Sequence, residues 1–353
     1  MTKIVATIGP ASQDLATLTF FRQHSVQIAR LNFSHNSAEW HIETGRKCRA
    51  VGFELMADLA GPKILLGFLS TDKTMINTGD TIIIEKQNPN NTYPYLQQDL
   101  QVLPCQFHIE EFAKPGQPIL IDDGKISCEV TKVSDQRVYC RVNHGGVVKS
   151  NKGVNMPLSD IEIDFLVDRD RDFLSQVLPA IRPEYVAPSF VKTIKDLEKL
   201  KAFIQEILKQ QQINDYFPKV CTKIEMGEAV KPENLEAIIQ ASDMIMIARG
   251  DLALETLPNH IKVPFYQEKI KRLCQKHKKP FIVATQILET MTDNPVPTRA
   301  EMSDLYRAVC LDNADFVMLS GESAGGKFPT KCVQIMHDMI HLSKNFIETI
   351  INP

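Results

Sequence analysis

Lys223 and Glu225 stand two residues apart in KVCTKIEMGEA, a run whose Val220, Cys221 and Ile224 read as β-strand. At strand periodicity that spacing puts an ammonium and a carboxylate on one face. Two charges at the end of an apolar strand are costly to desolvate. They form either a structural ion pair or a working pair in a site. A second carboxylate, Asp251, follows the strand-like MIMIARG. Glu225 and Asp251 are hard oxygen donors with no cysteine or histidine beside them. That set suits Mg²⁺ or Mn²⁺ better than zinc once waters and substrate oxygens complete the shell. The alternative is a hydrogen-bonded carboxylate pair. Beside such a metal Lys223 would not be a ligand; its fitting role is to neutralise a phosphoryl group in flight or to steady an enolate.

Two glycine-bearing stretches suggest anion contacts. In MIMIARGDLALE the strand is expected to break at Gly250 with a helix starting just after it, where backbone N–H groups can hold a carboxylate. GESAGGKF, Gly321 to Phe328, has the glycine-four-glycine-lysine spacing of a phosphate loop. Phe328 stands where such a loop needs Ser or Thr for magnesium, so it fails as a P-loop. It is read instead as the phosphate-side loop after a barrel strand.

These groups need a scaffold that aims them at one place. The first sixty-odd residues alternate KIVATIG, a helix from about Ser12 to His24, QIARLNFS, a helix from about Ala38 to Val51, and FELMADLAGPKI. Apolar strands followed by amphipathic helices read as βα units of a parallel sheet covered on both faces. From about Phe68 to Val154 short strands separated by Gly, Asn, Asp and Pro replace that pattern, as in a small all-β module. The alternation then resumes with EYVAPSFV, KVCTKIE, MIMIARG, PFIVATQ and ADFVMLSG. Three units before the insertion and five after it make the eight of a (β/α)8 TIM barrel, an α/β fold whose active site lies at the C-terminal ends of the strands. The expected division is a barrel over 1–67 and 155–353, with an inserted β-barrel lid over 68–154. At the strand ends stand Arg30, Asn32, Ser34 and His35; Asp58 and Lys63; Thr222, Lys223 and Glu225; Arg249 and Asp251; Thr285 and Gln286; and Ser320 and Glu322. Polar groups at every strand end on one rim mark an active site.

A net charge of -3 argues against a broad nucleic-acid footprint. The basic run KIKRLCQKHKK has the spacing of a solvated helix face. No apolar run reaches the ~20 residues of a membrane helix, and Met1-Thr2-Lys3 leads straight into a strand rather than a signal peptide. Eight scattered cysteines without a CxxC pair suit reduced thiols in a cytoplasm.

In order along the chain, TKIVATIGPAS, ARLNFSH, GPKI, IDDGKIS, KGVNMP, APSFV, KIE, ARGDLALE, VATQILETM, PTRAEMSD and ADFVMLSGES resemble the pyruvate kinase family, which transfers phosphate from phosphoenolpyruvate to ADP. The resemblance implies that Lys223 stabilises the transferring phosphoryl, Glu225 and Asp251 hold the catalytic Mg²⁺ (or Mn²⁺), and Arg30 grips the phosphate. It implies a carboxylate cradle at Gly250–Asp251, and roles for Thr285 and Ser320 in protonating the enolate. Asn32, Ser34 and Asp58 would match a monovalent-cation pocket, and His35 and Asp123 would handle the nucleotide, ADP or ATP. Lys63 stands where potassium-dependent members carry glutamate. An ammonium there repels K⁺ and can replace it, so K⁺ is not expected to be required. Other departures are Leu65 in place of an arginine that contacts nucleotide phosphate, Thr193 in place of a lysine found in some members, and Asn36 and Ala253 in place of glycines. Losing one phosphate-contacting charge costs about 1.5–3 kcal/mol, which makes nucleotide binding the point of greatest divergence.

The chain stops at Pro353, before the C-terminal regulatory domain of typical members. This leads to the expectation of no sugar-phosphate effector site, and of a monomer or a homodimer through the barrel. Two other readings compete with an active kinase. One is a lyase or carboxyl-transfer enzyme on the same pyruvate-enolate barrel. The other is a catalytically weak paralogue kept as a binding or regulatory protein, which Leu65 favours and the intact set of Lys223, Glu225, Asp251 and Thr285 opposes.

Overall fold

A computed structural model describes residues 1–71, 73–159, 163–256 and 259–346. Eight parallel strands close a barrel: Lys3–Thr7, Val26–Asn32, Glu54–Asp58, Tyr185–Ala187, Lys219–Ile224, Met244–Ala248, Phe281–Ala284 and Phe316–Leu319. Each pairs with its sequence neighbours, and the first pairs with the eighth from Lys3↔Phe316 to Ala6↔Leu319. Nearly every residue of these strands is buried, as parallel strands covered on both faces require. Val5, Ile28, Met56, Ala187, Cys221 and Met246 belong to one buried cluster. Lys223 follows Cys221 at the two-residue period, so it shares that side chain's face and carries the row to the strand's C-terminal end.

Helices form where local signals start and stop them. Ala38–Val51 begins after Ser37, whose hydroxyl accepts from Trp40 N at 3.3 Å, and ends at Gly52 with φ 94°. The first helix, Leu15–Gln23, is shorter than the expected Ser12–His24, because the Asp14 carboxylate caps it by accepting from Thr17 N at 3.0 Å. None of the described helices is long and apolar enough to cross a membrane.

The chain divides into two compact units. The first, Met1–Gly61 with Phe165–Gly250 and Val263–Pro353, holds the barrel. The second comprises Pro62–Asp164 and Asp251–Lys262, so it takes in a segment from after the sixth barrel strand as well as the inserted β region. It contains a seven-stranded sheet ordered Val154–Asn155, Pro118–Ile121, Ile126–Ser134, Arg137–His144, Thr81–Lys86, Leu100–Cys105 and Tyr95–Gln97, and a ribbon of Lys73–Ile76 with Gly146–Lys149. Alternate residues of Ile126–Val130 are buried, the pattern of a sheet with one face on a core. Ile84, Leu103, Ile119, Val130 and Val138 fill that core.

Candidate active site

Asp58 ends the third barrel strand with no exposure to solvent. Its Oδ2 accepts from Arg30 Nε at 2.5 Å and its Oδ1 from Lys223 Nζ at 2.6 Å. Burial opposes the charged carboxylate, but the Arg30 and Lys223 charges outweigh it and hold the Asp58 carboxyl below its ordinary range. Burial likewise disfavours the Lys223 ammonium, and Asp58 with Glu225 overcomes it, so Lys223 stays protonated above its ordinary value. Arg30 Nη1 donates to Thr7 Oγ1 at 2.7 Å, and that hydroxyl donates to Leu319 O at 2.8 Å. Lys223 Nζ also lies 3.4 Å from Leu59 O. Beyond Asp58 the backbone is held by buried Asp170, which accepts from Ala60 N and Gly61 N at 2.9 and 2.8 Å.

Glu225 is 1% exposed and accepts from Phe190 N at 2.7 Å. Thr285 and Gln286 follow the seventh strand at φ 63° and 54°. For a β-branched threonine that backbone is strained, at a cost of about 1–3 kcal/mol, and it persists only where the surroundings fix it. Arg249 supplies the fixation: its Nη2 donates to Thr285 O at 2.7 Å and Gln286 O at 3.1 Å, while its Nη1 bonds Asp304 at 2.6 Å. Gly250 N donates to Thr285 Oγ1 at 2.9 Å, so the amide expected to serve an anion is engaged by the threonine.

A cavity of about 540 Å³ opens on this rim, lined by Arg30, Asn32, His35, Asn36, Ser320 and backbone-rich turns at Gly9–Pro10 and Ala324–Gly325. Asn36 takes φ 61°, which an asparagine tolerates where the resemblance expects glycine. Asn32 Oδ1 accepts from Ser34 N at 3.0 Å and shapes the turn. The carbonyl of His35 accepts from His41 Nε2 at 2.8 Å. His41 is 1% exposed among Phe33, Trp40 and Phe173, and its Nδ1 has no partner among the described residues. Burial therefore depresses its pKa to about 4, and the ring is neutral. Trp40 Nε1 donates to Gln13 Oε1 at 2.9 Å. Beside Ser320, buried Glu322 accepts from Ser320 N at 2.7 Å and Leu288 N at 3.3 Å, with its carboxyl pushed up by burial.

The second unit holds Lys63, Asp123 and Asp251. Lys63 Nζ lies 3.5 Å from Asp251 Oδ1. A Cβ on Gly153 would come within 2.9 Å of Lys63 Cε, so the bare glycine leaves the lysine its path. Asp122 and Asp123, at φ 51° and 57°, turn the chain ahead of Gly124. Asp123 is exposed, whereas Asp122 pairs with Lys152 at 2.8 Å. Leu65 makes an isolated antiparallel bridge to Gly153, outside the strands of the seven-stranded sheet. Thr193 caps the helix Ile194–Gln210, and Ala253 is fully buried.

The structure thus joins Arg30, Asp58 and Lys223 in one ion-pair network, and lines one cavity with Arg30, Asn32, His35 and Ser320. Glu225 and Asp251 fall in different compact units, as do Asp58 and Lys63. Among the described residues no three His, Cys, Asp or Glu side chains come together as a metal set. Thr222, grouped with the rim from sequence, instead bonds Ser242 Oγ at 2.6 Å, because alternation turns it away from Lys223's face. The helix after the sixth strand, Arg249–Glu255, starts before Gly250 rather than after it, since Arg249 is tied to Thr285 and Gln286 after the seventh strand and to Asp304 of the helix Arg299–Tyr306, and already takes the helical bend. Thr7, Asp170 and His41 were missed. A hydroxyl at a strand end, one member of the DRDRD run and a histidine on a helix give no signal until the strands are side by side.

A closed (β/α)8 barrel whose C-terminal rim carries paired cations on a shared buried carboxylate is the frame of a barrel enzyme. Residues 1–333 match the family model described as pyruvate kinase, barrel domain. Over 351 residues the chain is 36% identical to the pyruvate kinase of Corynebacterium efficiens, covering 97% of this chain and 70% of that protein. It is 33% identical to the Thermococcus litoralis pyruvate kinase over 99% of its length and 71% of the relative's. The crystal structure of a pyruvate kinase from Cryptosporidium parvum superimposes with a TM-score of 0.86 at 30% identity, covering 98% of this chain and 69% of that one. The chain belongs to the pyruvate kinase family and is an enzyme of that family.

Proposed function

We propose that this chain transfers the phosphoryl group of phosphoenolpyruvate to ADP, giving pyruvate and ATP, without a requirement for potassium. The observation that carries the reading is the pair of cations, Arg30 and Lys223, held on Asp58 at the barrel rim, with Arg30 lining an adjoining cavity. The bond from the enol oxygen to phosphorus breaks as one forms to a β-phosphate oxygen of ADP, and the enolate then takes a proton at carbon. Arg30 grips the phosphoryl oxygens and Lys223 neutralises charge as the group moves, which is most of what such a transfer asks of a protein. Thr285 and Ser320 act at the enolate, where protonation completes the ketone. His35 and Asp123 handle the nucleotide, and Gly250 supports the substrate carboxylate through its bond to Thr285.

Glu225 and Asp251 would hold Mg²⁺ (or Mn²⁺), since hard carboxylate oxygens suit a cation that keeps its waters and binds substrate phosphates. Bound there, the ion would supply charge neutralisation for phosphoryl oxygens. Potassium independence rests on Lys63 and on the full engagement of Asp58 by Arg30 and Lys223, which leaves Asn32 and Ser34 without that carboxylate for a cation pocket. We take the enzyme to act in the cytoplasm as a monomer or a barrel-to-barrel homodimer, with no nucleic-acid or membrane partner.

The test is pyruvate formation from phosphoenolpyruvate and ADP with Mg²⁺ in sodium- and potassium-free buffer, repeated with KCl. Turnover in both is expected. Turnover only with KCl removes the Lys63 argument and keeps the kinase. A folded, magnesium-supplied protein that turns over in neither is a binding paralogue.

A further inference from the structure

Asp58 offers two carboxylate oxygens, and each is taken by a cation named in the transfer. The strand that carries it is fixed on both sides. Ahead of it Arg30 and Asp58 sit on neighbouring strands, with Arg30 opposite Met56 and Asn32 opposite Asp58. Beyond it, Leu59 O accepts from Ser189 Oγ and lies near Lys223 Nζ, and Asp170 holds Ala60 and Gly61. Arg30 is pinned twice, by Asp58 at Nε and by Thr7 at Nη1, while the residue still lines the cavity.

We propose that Asp58 is a positioning residue: it locks Arg30 and Lys223 into one rigid cationic pair, and this replaces any part for Asp58 in binding a monovalent ion. The inference deepens the phosphotransfer reading and rests on it. A bidentate bridge orients as well as neutralises, because charge-assisted bonds at each oxygen fix the angle and the spacing of the two donors together. Long arginine and lysine stems otherwise carry large rotamer freedom, and restraining them before substrate arrives removes that ordering cost from the reaction. A potassium ion on the same oxygens would face Arg30 and Lys223 at contact distance, a like-charge cluster in a buried place. Bare neutralisation of buried charge is the competing role, and it makes a different prediction. It needs a negative charge near Asp58's position, whereas positioning needs the carboxylate at its present reach.

Asp58→Glu separates the two, since it keeps the charge and moves the carboxylate by one methylene. Positioning predicts a fall in kcat of about 10²-fold, with a weaker affinity for phosphoenolpyruvate measured by calorimetry. Near-wild-type turnover in D58E overturns the inference. Asp58→Asn is then combined with Arg30→Gln and with Lys223→Met. Losses in kcat/KM that fall well short of multiplying are expected if Asp58 acts through those two groups, and fully multiplicative losses overturn it. A KCl activation of the wild type that D58N abolishes would make Asp58 an ion ligand and also overturns it. Should D58N fail to fold, Thr7→Val removes Arg30's second pin, together with the hydroxyl's bond to Leu319 O, while leaving Asp58 in place; it is expected to raise KM for phosphoenolpyruvate more than it lowers kcat, and a fall in kcat with KM unmoved counts against the clamp.

If the wild type does not turn over, the phosphotransfer reading falls. The clamp is then judged by calorimetry with phosphoenolpyruvate and with inorganic phosphate alone. Affinity at least about tenfold weaker in D58E, with circular dichroism unchanged, supports it. Unaltered affinity overturns it.

Discussion

Between pH 6.5 and about 4, part of this protein's acid sensitivity should come from one buried ring, His41. His41 donates from Nε2 to the His35 carbonyl and keeps an Nδ1 with no partner among the described residues in an aromatic pocket, so a second proton meets no acceptor among them. Burial lowers its pKa from 6.5 to about 4. The unfolded imidazole gains its proton below about pH 6.5 and the native one only below about 4. Between those values the unfolded state binds more protons, and stability falls as pH falls. Integrating the difference gives a loss on the order of 2 kcal/mol between pH 7 and pH 5, and about 3 kcal/mol by pH 4. His41→Phe suits the pocket and cannot titrate. It sacrifices the bond to His35, so it should start less stable by about 1 kcal/mol at pH 7. The assay is urea unfolding followed by circular dichroism at pH 7, 6, 5 and 4.5 for both proteins. The wild-type curve should lose that increment relative to H41F as pH drops. Parallel curves would refute the assignment of a neutral, acid-sensitive His41.

Lys223→Met should cut pyruvate formation by about 10²–10³-fold, with a native circular dichroism spectrum and a lower melting temperature, because Asp58 keeps Arg30 but loses its second partner. Thr285→Ser retains the acceptor for Gly250 N and relieves the β-branch at positive φ, so its melting temperature should equal or exceed the wild type's. Thr285→Ala should cost about 1 kcal/mol through the lost hydrogen bond, read by thermal denaturation. Gly153→Ala places a methyl against Lys63 and should loosen the Lys63–Asp251 pair; the Mg²⁺ concentration for half-maximal rate should shift by less than about fivefold, as a partly exposed pair allows.

The barrel was legible because parallel strands buried on both faces read as unbroken apolar runs, and polar residues that interrupt such runs stand out at their ends. Arg30, Asp58, Lys223 and Ser320 were found that way. The helix Ala38–Val51 was legible to its last residue, since Ser37 and Gly52 punctuate it. What could not be read was who bonds whom. Asp58 and Lys223 are 165 residues apart in the chain, and only the closure of the barrel makes them partners. Thr285 shows the opposite limit: its type argues against positive φ, and the Arg249 network that imposes it comes from another strand's end. Thr222 could have been excluded by strict alternation from Lys223.

Trp40 is the chain's one tryptophan, and its indole N–H rests on Gln13 while its ring meets His41 edge-on. Through His41 that ring is a single hydrogen bond from the His35 backbone on the cavity wall. The molecule thus carries its single tryptophan beside a turn of the cavity wall. The emission of unlabelled protein is therefore a native optical signal: with no second tryptophan to subtract, a shift on adding nucleotide would indicate that a ligand alters the surroundings of Trp40.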